Sequence, residues 1–188
     1  MTTGAKTSID VAIWFLDHAL NDGEYLQPQK LHRLLYLAQA YYAVANYGRM
    51  LMPTVFVADE AGPMAPDIFR VLEQGRHYIE GRPLKPDTEQ FVESIWRRFG
   101  QHSTDYLTKQ ITRHPPYAKA LAEGPGTVIS FEAMREFYGA STAHRAPGGA
   151  PPLSDVLRPK VMRSHTGKPV NVQKWMPPAK GPAEAAKK

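Results

Sequence analysis

Apolar side chains at Ile9, Ala12, Ile13, Leu16, Ala19 and Leu20 recur three and four positions apart. That spacing predicts an amphipathic helix over residues 7–22. Thr7 and Asp10 fit a capping box, in which hydroxyl and carboxylate each accept a free backbone N–H. Gly23 is placed to end the helix in a left-handed turn. Pro28 suits a first helical position, where its missing N–H costs nothing. Over 28–47 the chain is at its most apolar. Leu31, Leu34, Leu35, Ala38, Tyr42 and Ala45 form one stripe, and Leu37, Tyr41 and Val44 widen it. A helix apolar on most sides is a central one. Lys30 and Arg33 are expected on its one polar edge, and Gly48 ends it.

Beyond it the periodicity shortens. Residues 54–58 are β-prone and predict a short strand. Residues 61–66, with two prolines and Gly62, predict a defined loop. Pro66 opens a helix with Ile68, Phe69 and Leu72, closed at Gly75, and Tyr78 and Ile79 predict a second short strand. Asp87 and Gln90 suggest another capping box, opening a helix with Phe91, Val92, Ile95, Trp96 and Phe99 that Gly100 ends. Ser103 caps a helix carrying Tyr106, Leu107 and Ile111. Pro115-Pro116 breaks it, and Tyr117, Ala118 and Leu121 sit on a short successor. Gly124-Pro125-Gly126 is a turn, Val128 and Ile129 are extended, and Ser130 caps a last helix with Met134, Phe137 and Tyr138. There is no βαβ alternation and no repeat. The expected fold is mainly α: a compact globule of six to seven helices with one to three short β-strands.

Charge divides the chain. Residues 143–188 hold nine Lys/Arg against two Asp/Glu, with eight Pro and four Gly. Residues 1–142 are slightly acidic, so the net charge of +5 comes from the C-terminal part. Prolines remove backbone donors, and few apolar residues remain to offset ordering. The domains expected are a helical one over 1–142 and a flexible, extended basic tail over 143–188, in which 161–175 is apolar enough to order locally. Absence of Cys excludes disulfides, thiolate metal sites and a cysteine nucleophile, and suits a cytoplasmic address. Residues 1–6 lack the apolar stretch of a signal peptide, and no run is long enough to span a membrane.

Catalytic patterns are missing. None of the seven His has the helical zinc spacing, and no nucleophile elbow or phosphate-binding glycine loop occurs. Neighbouring Asp59 and Glu60 are expected to point apart. His114 reads as the dipole partner of a helix C-terminus. Tyr36, Tyr41, Tyr42, Tyr47 and Trp96 read as core aromatics rather than base-stacking platforms. The expectation is a non-enzyme without cofactor or metal. The basic tail leaves weak, salt-dependent nucleic-acid binding as an alternative role, in a regulatory or phage-associated protein.

One stretch carries a family likeness. Leu26-Gln27-Pro28-Gln29-Lys30-Leu31-His32-Arg33-Leu34-Leu35-Tyr36-Leu37-Ala38-Gln39 resembles the signature helix of Panacea-domain proteins, which include SocA-like antitoxins and the phage-associated GepA group. Gly48, Phe56-Val57-Ala58 and Gly62-Pro63-Met64-Ala65-Pro66-Asp67-Ile68-Phe69 are similar to the next conserved segment of that family. Ile95-Trp96-Arg97-Arg98-Phe99-Gly100, Tyr106-Leu107 and Thr112-Arg113-His114-Pro115-Pro116-Tyr117 resemble its later stations. The likeness covers about residues 8–140 in order. His32-Arg33 stands where the family often has Gln-Lys, Asp59-Glu60 occupies a region where it carries a Trp, and Tyr117 replaces a Trp.

The resemblance implies an antitoxin that binds a cognate toxin protein, and, for SocA-like members, an adaptor that delivers the toxin to the ClpXP protease. Lys30, Arg33, Gly62, Pro63 and His114 are the family-motif positions and hence the partner-binding candidates, although Gly62 and Pro63 also have the chemistry of a shaped loop. In the tail, Lys168, Pro169, Val170, Val172 and Trp175 are candidates for docking ClpX; tethering there would raise the effective concentration of cargo at the protease.

Overall fold

A computed structural model describes residues 3–73, 79–140 and 148–158, and the backbone of 162–163 and 169–170. Its architecture is mainly helical with a small sheet. Helix α1 (Ser8–Asn21) starts at the anticipated capping box: Thr7 Oγ1 accepts from Asp10 N at 3.2 Å, and an Asp10 carboxylate oxygen accepts from Thr7 N at 3.1 Å. Helix α2 (Pro28–Ala45) has Pro at its first turn and packs against α1 and most of the later helices. Leu34, Leu35, Tyr36 and Tyr41 are fully buried along it, as a helix apolar on most sides requires.

Strands β1 (Phe56–Asp59) and β2 (Gly62–Met64) form a tight antiparallel hairpin, with Asp59 opposite Gly62. Residues expected to be loop are thus half strand. Pro63 is tolerated because β2 is an edge of the sheet, whose order is β2-β1-β3. Strand β3 (Thr127–Ile129) supplies the other edge, antiparallel to β1. Helices α3 (Pro66–Leu72), α4 (Pro86–Phe99), α5 (Thr104–Ile111), α6 (Pro115–Glu123) and α7 (Phe131–Gly139) fall where the apolar periods place them. Ser103 and Ser130 cap α5 and α7 through their hydroxyls. The Asp87 box does not form: Pro86 takes the first turn of α4, so Lys85 becomes the cap residue. Ile79 lies in no strand, and Gly75 and Tyr78 fall outside the described residues.

One aromatic and the tail depart from expectation. Tyr36, Tyr42 and Trp96 are core, but Tyr47 is wholly exposed. It lies just past the end of α2 at φ 54°, where its ring leaves the helical stripe. The tail begins later than composition suggested. Residues 148–158 run back over the globule, with Ala150 and Val156 buried and a short helix α8 (Leu153–Leu157) packed on α4 and α2. Two buried apolar side chains and a hydrogen bond from Tyr41 Oη to the Pro151 carbonyl (2.8 Å) outweigh the prolines there. Farther on, β4 (Met162–Arg163) pairs with β5 (Pro169–Val170) in a two-stranded hairpin. Lys168, Val172 and Trp175 lie outside the described residues, as do the side chains of Pro169 and Val170.

Candidate functional site: a buried clamp and an exposed apolar face

Three of the five motif positions converge. Arg33 projects from α2 toward the β1–β2 turn and is only 3% exposed, not on a polar edge as the pattern suggested. Its Nη1 donates to the Pro63 carbonyl at 3.0 Å, its Nη2 to the Ala61 carbonyl, and its Nε to Thr108 Oγ1 at 3.0 Å. Tyr117 Oη from α6 donates to the Asp59 carbonyl at the other side of the turn. Gly62 sits at φ +119°, and a Cβ built on it would lie 2.5 Å from Arg33 Nη2. Only glycine permits so close an approach in that conformation. Burial works against the guanidinium charge, and the neighbouring Tyr117 and Asp59 work for it. The fork geometry of arginine matches three acceptors at once. Arg33, Gly62 and Pro63 therefore fasten the hairpin to the helices.

The other two positions stand apart. Lys30 is half-buried, its Nζ 5.9 Å above the Trp96 ring. Desolvation lowers its pKa, with Glu24 opposing. His114 is not a C-terminal dipole partner: it is the residue before α6, 4% exposed. Its Nδ1 lies 2.9 Å from Tyr138 Oη and its Nε2 3.4 Å from the Gly148 carbonyl. A carbonyl only accepts, so Nε2 carries the proton and Tyr138 donates to Nδ1. Burial lowers the His114 pKa, partly offset by the Gly148 bond. His114 thus ties the returning 148–158 segment to α7.

Two buried polar groups escaped the sequence reading. Gln39 on α2 accepts from Leu51 N and Met52 N at 3.0 and 3.1 Å and donates to the Met52 carbonyl at 3.2 Å. A Gln inside an apolar stripe was the available signal. His32 Nδ1 accepts from Ala65 N at 3.2 Å, beside Asp67, which in turn accepts from Ser8 and Thr54 hydroxyls. Burial, then the charge of Arg33, holds the His32 pKa down at about 4.

The sign of its linkage is definite. Unfolded, His32 takes a proton near pH 6.5; folded, only near 4. Its contribution is complete above pH 6.5 and is lost as pH falls toward 4, on the order of 3 kcal/mol at the limit. His114 acts in the same direction. Denaturant melts at pH 7.5 and 4.5 are expected to differ less for His32→Asn than for the parent, because the Asn carbonyl accepts from Ala65 N without titrating.

Two largely apolar hollows flank α3, with the exposed charges of Asp67, Arg70 and Glu73 at their edges. On one side Leu16, Tyr25, Leu26, Leu31, Phe69 and Leu72 line a hollow of about 300 Å³. On the other, Met50, Pro53, Val55, Pro66 and Val71 line a wide shallow groove. Tyr25 is 84% exposed, Phe69 48% and Val71 42%. Among the described residues no cluster of three His, Asp or Glu is placed to hold a metal ion. No described helix is long and apolar enough to cross a membrane. No family model, curated protein or solved structure matches this chain.

Proposed function

We propose that the chain is the antitoxin of a toxin–antitoxin pair: it binds a cognate toxin protein through the apolar face around α3 and, in the SocA-like manner, delivers it to ClpXP through its C-terminal arm. The observation that carries this reading is the exposure of Tyr25, Phe69 and Val71 around two apolar hollows that share one short helix. Single exposed apolar residues are ordinary, but apolar hollows grouped on both sides of one element favour a protein partner. The Panacea-like motif residues Arg33, Gly62 and Pro63 support it indirectly, since they hold the hairpin from which α3 departs. Lys30 and His114 are not on this face; the partner-contact candidates become Tyr25, Phe69 and Val71.

Co-purification from the native host tests the reading. The full chain and a chain ended at 158 are both expected to retain one small protein, the product of the adjacent gene, and only the full chain to retain ClpX. Phe69→Glu places a charge in the centre of the face and is expected to weaken capture about thirtyfold or more, with an unchanged melting curve. Recovery of nucleic acid by the full chain alone, salt-sensitive and without a protein partner, would replace the antitoxin reading with the nucleic-acid one.

A further inference from the structure

We infer that the cavity beneath the 148–158 segment is a binding site for a free α-amino acid with an apolar side chain, held between Arg98 and Asp155. This site lies apart from the α3 face and does not rest on the antitoxin reading. The cavity, of about 250 Å³ and partly open, is lined by α2, α4, α5 and the returning segment from Gly149 to Asp155. That volume lies at the small end for ligand sites, which suits one amino acid and excludes a nucleotide or a folded peptide. Leu37, Phe99, Leu107 and Ile111 give it one apolar side, and Tyr106, Gln110 and His114 add polar groups.

Its charges are placed for a zwitterion. Arg98 Nε is buried and has no hydrogen-bond partner among the described residues. Its guanidinium carbon lies 5.6 Å from the Phe99 ring centroid. Arg98 also lines the cavity, so its guanidinium is the cationic group that a carboxylate entering there would meet. Asp155 also lines the cavity but is exposed, at the rim, where Ser154 Oγ lies 3.4 Å from its carboxylate. A simple anion would be repelled there, whereas an ammonium group beside the bound carboxylate is attracted. His102 lines the same space; burial, then Arg98 and Lys30, lower its pKa, so it is neutral at pH 7 and leaves this polarity intact. The apolar side chain then rests on Leu37 and Ile111. Because the roof is the returning segment itself, an occupant braces that segment against α4.

Calorimetric titration of the full chain with L-leucine and L-phenylalanine tests the assignment, with 3-phenylpropionate (no ammonium) and phenethylamine (no carboxylate) as controls. At least one amino acid is expected to bind at one per chain, and both controls at least tenfold more weakly. Arg98→Gln is expected to weaken binding about tenfold or more, and Asp155→Asn about threefold, each with a circular dichroism spectrum like the parent's. Amide exchange over 149–157 is expected to slow when the amino acid is added. If 3-phenylpropionate binds as tightly as phenylalanine and Asp155→Asn changes nothing, the site is a general carboxylate pocket and the inference falls. It also falls if none of the four probes binds the folded parent.

Discussion

Arg33→Met is expected to cost about 3–5 kcal/mol of stability. The substitution keeps an apolar stem of similar length and removes the fork. The buried Pro63 carbonyl then loses its donor, and the partly buried Ala61 carbonyl and Thr108 hydroxyl lose theirs. Chains of this size hold only about 5–15 kcal/mol in all, so the loss is a large fraction of the whole. Arg33→Lys retains charge but reaches fewer acceptors and is expected to fall between. Gly62→Ala alone is expected to cost about 2–3 kcal/mol, through the positive φ and the collision with the guanidinium. The two losses should not add. With Met at 33 the collision is relieved, so the double variant should be less destabilised than the sum by about 1 kcal/mol. Urea denaturation of the parent, the two single variants and the double variant measures this coupling, and strict additivity would show that the clamp is not a unit.

Ending the chain at 142 is the second large effect. Composition places the end of the globule there, yet Ala150 and Val156 are buried and Tyr41 Oη and His114 Nε2 both reach carbonyls of the returning segment. Removing the segment deletes the Val156 contact, worth about 1.5–3 kcal/mol, and orphans two polar groups at about 1 kcal/mol or more each. The 1–142 protein is expected to melt about 10 °C or more below the full chain by circular dichroism. A chain ended at 158 keeps every one of these contacts and is expected to melt within about 3 °C of it. Equal melting of the 1–142 and 1–158 proteins would mean that the segment adds nothing to the core.

These two cases mark what local sequence can carry. Thr7 with Asp10, Ser103 and Ser130 were legible because a cap and its target are three residues apart. The apolar stripe of α2 was legible because a helical period repeats within one element. Arg33 was misread because its acceptors lie 28 to 75 positions away, and nothing in a helical period says that a cation will be drawn inward by carbonyls from a hairpin. The returning segment was misread for a similar reason. Its prolines argue locally for an open chain, while the forces that order it come from Tyr41 and His114, 110 and 34 positions back. Of the motif candidates, Arg33, Gly62 and Pro63 were legible as a group before their task was. The apolar face around α3 was not legible at all, because Tyr25 and Phe69 meet only in three dimensions.

Helix α2 carries Arg33 to the hairpin, Gln39 to the 51–52 backbone and Tyr41 to the returning segment. It therefore works as a ruler. Inserting one residue between Arg33 and Tyr41 would swing everything beyond it by about 100° and advance it about 1.5 Å. The aromatic end would then miss Tyr138 and Pro151 while the guanidinium still met its carbonyls. Length variation within this stretch is closed to evolution, and every side chain along it is buried. Insertions and deletions among proteins sharing this architecture should collect instead in the connections between helices.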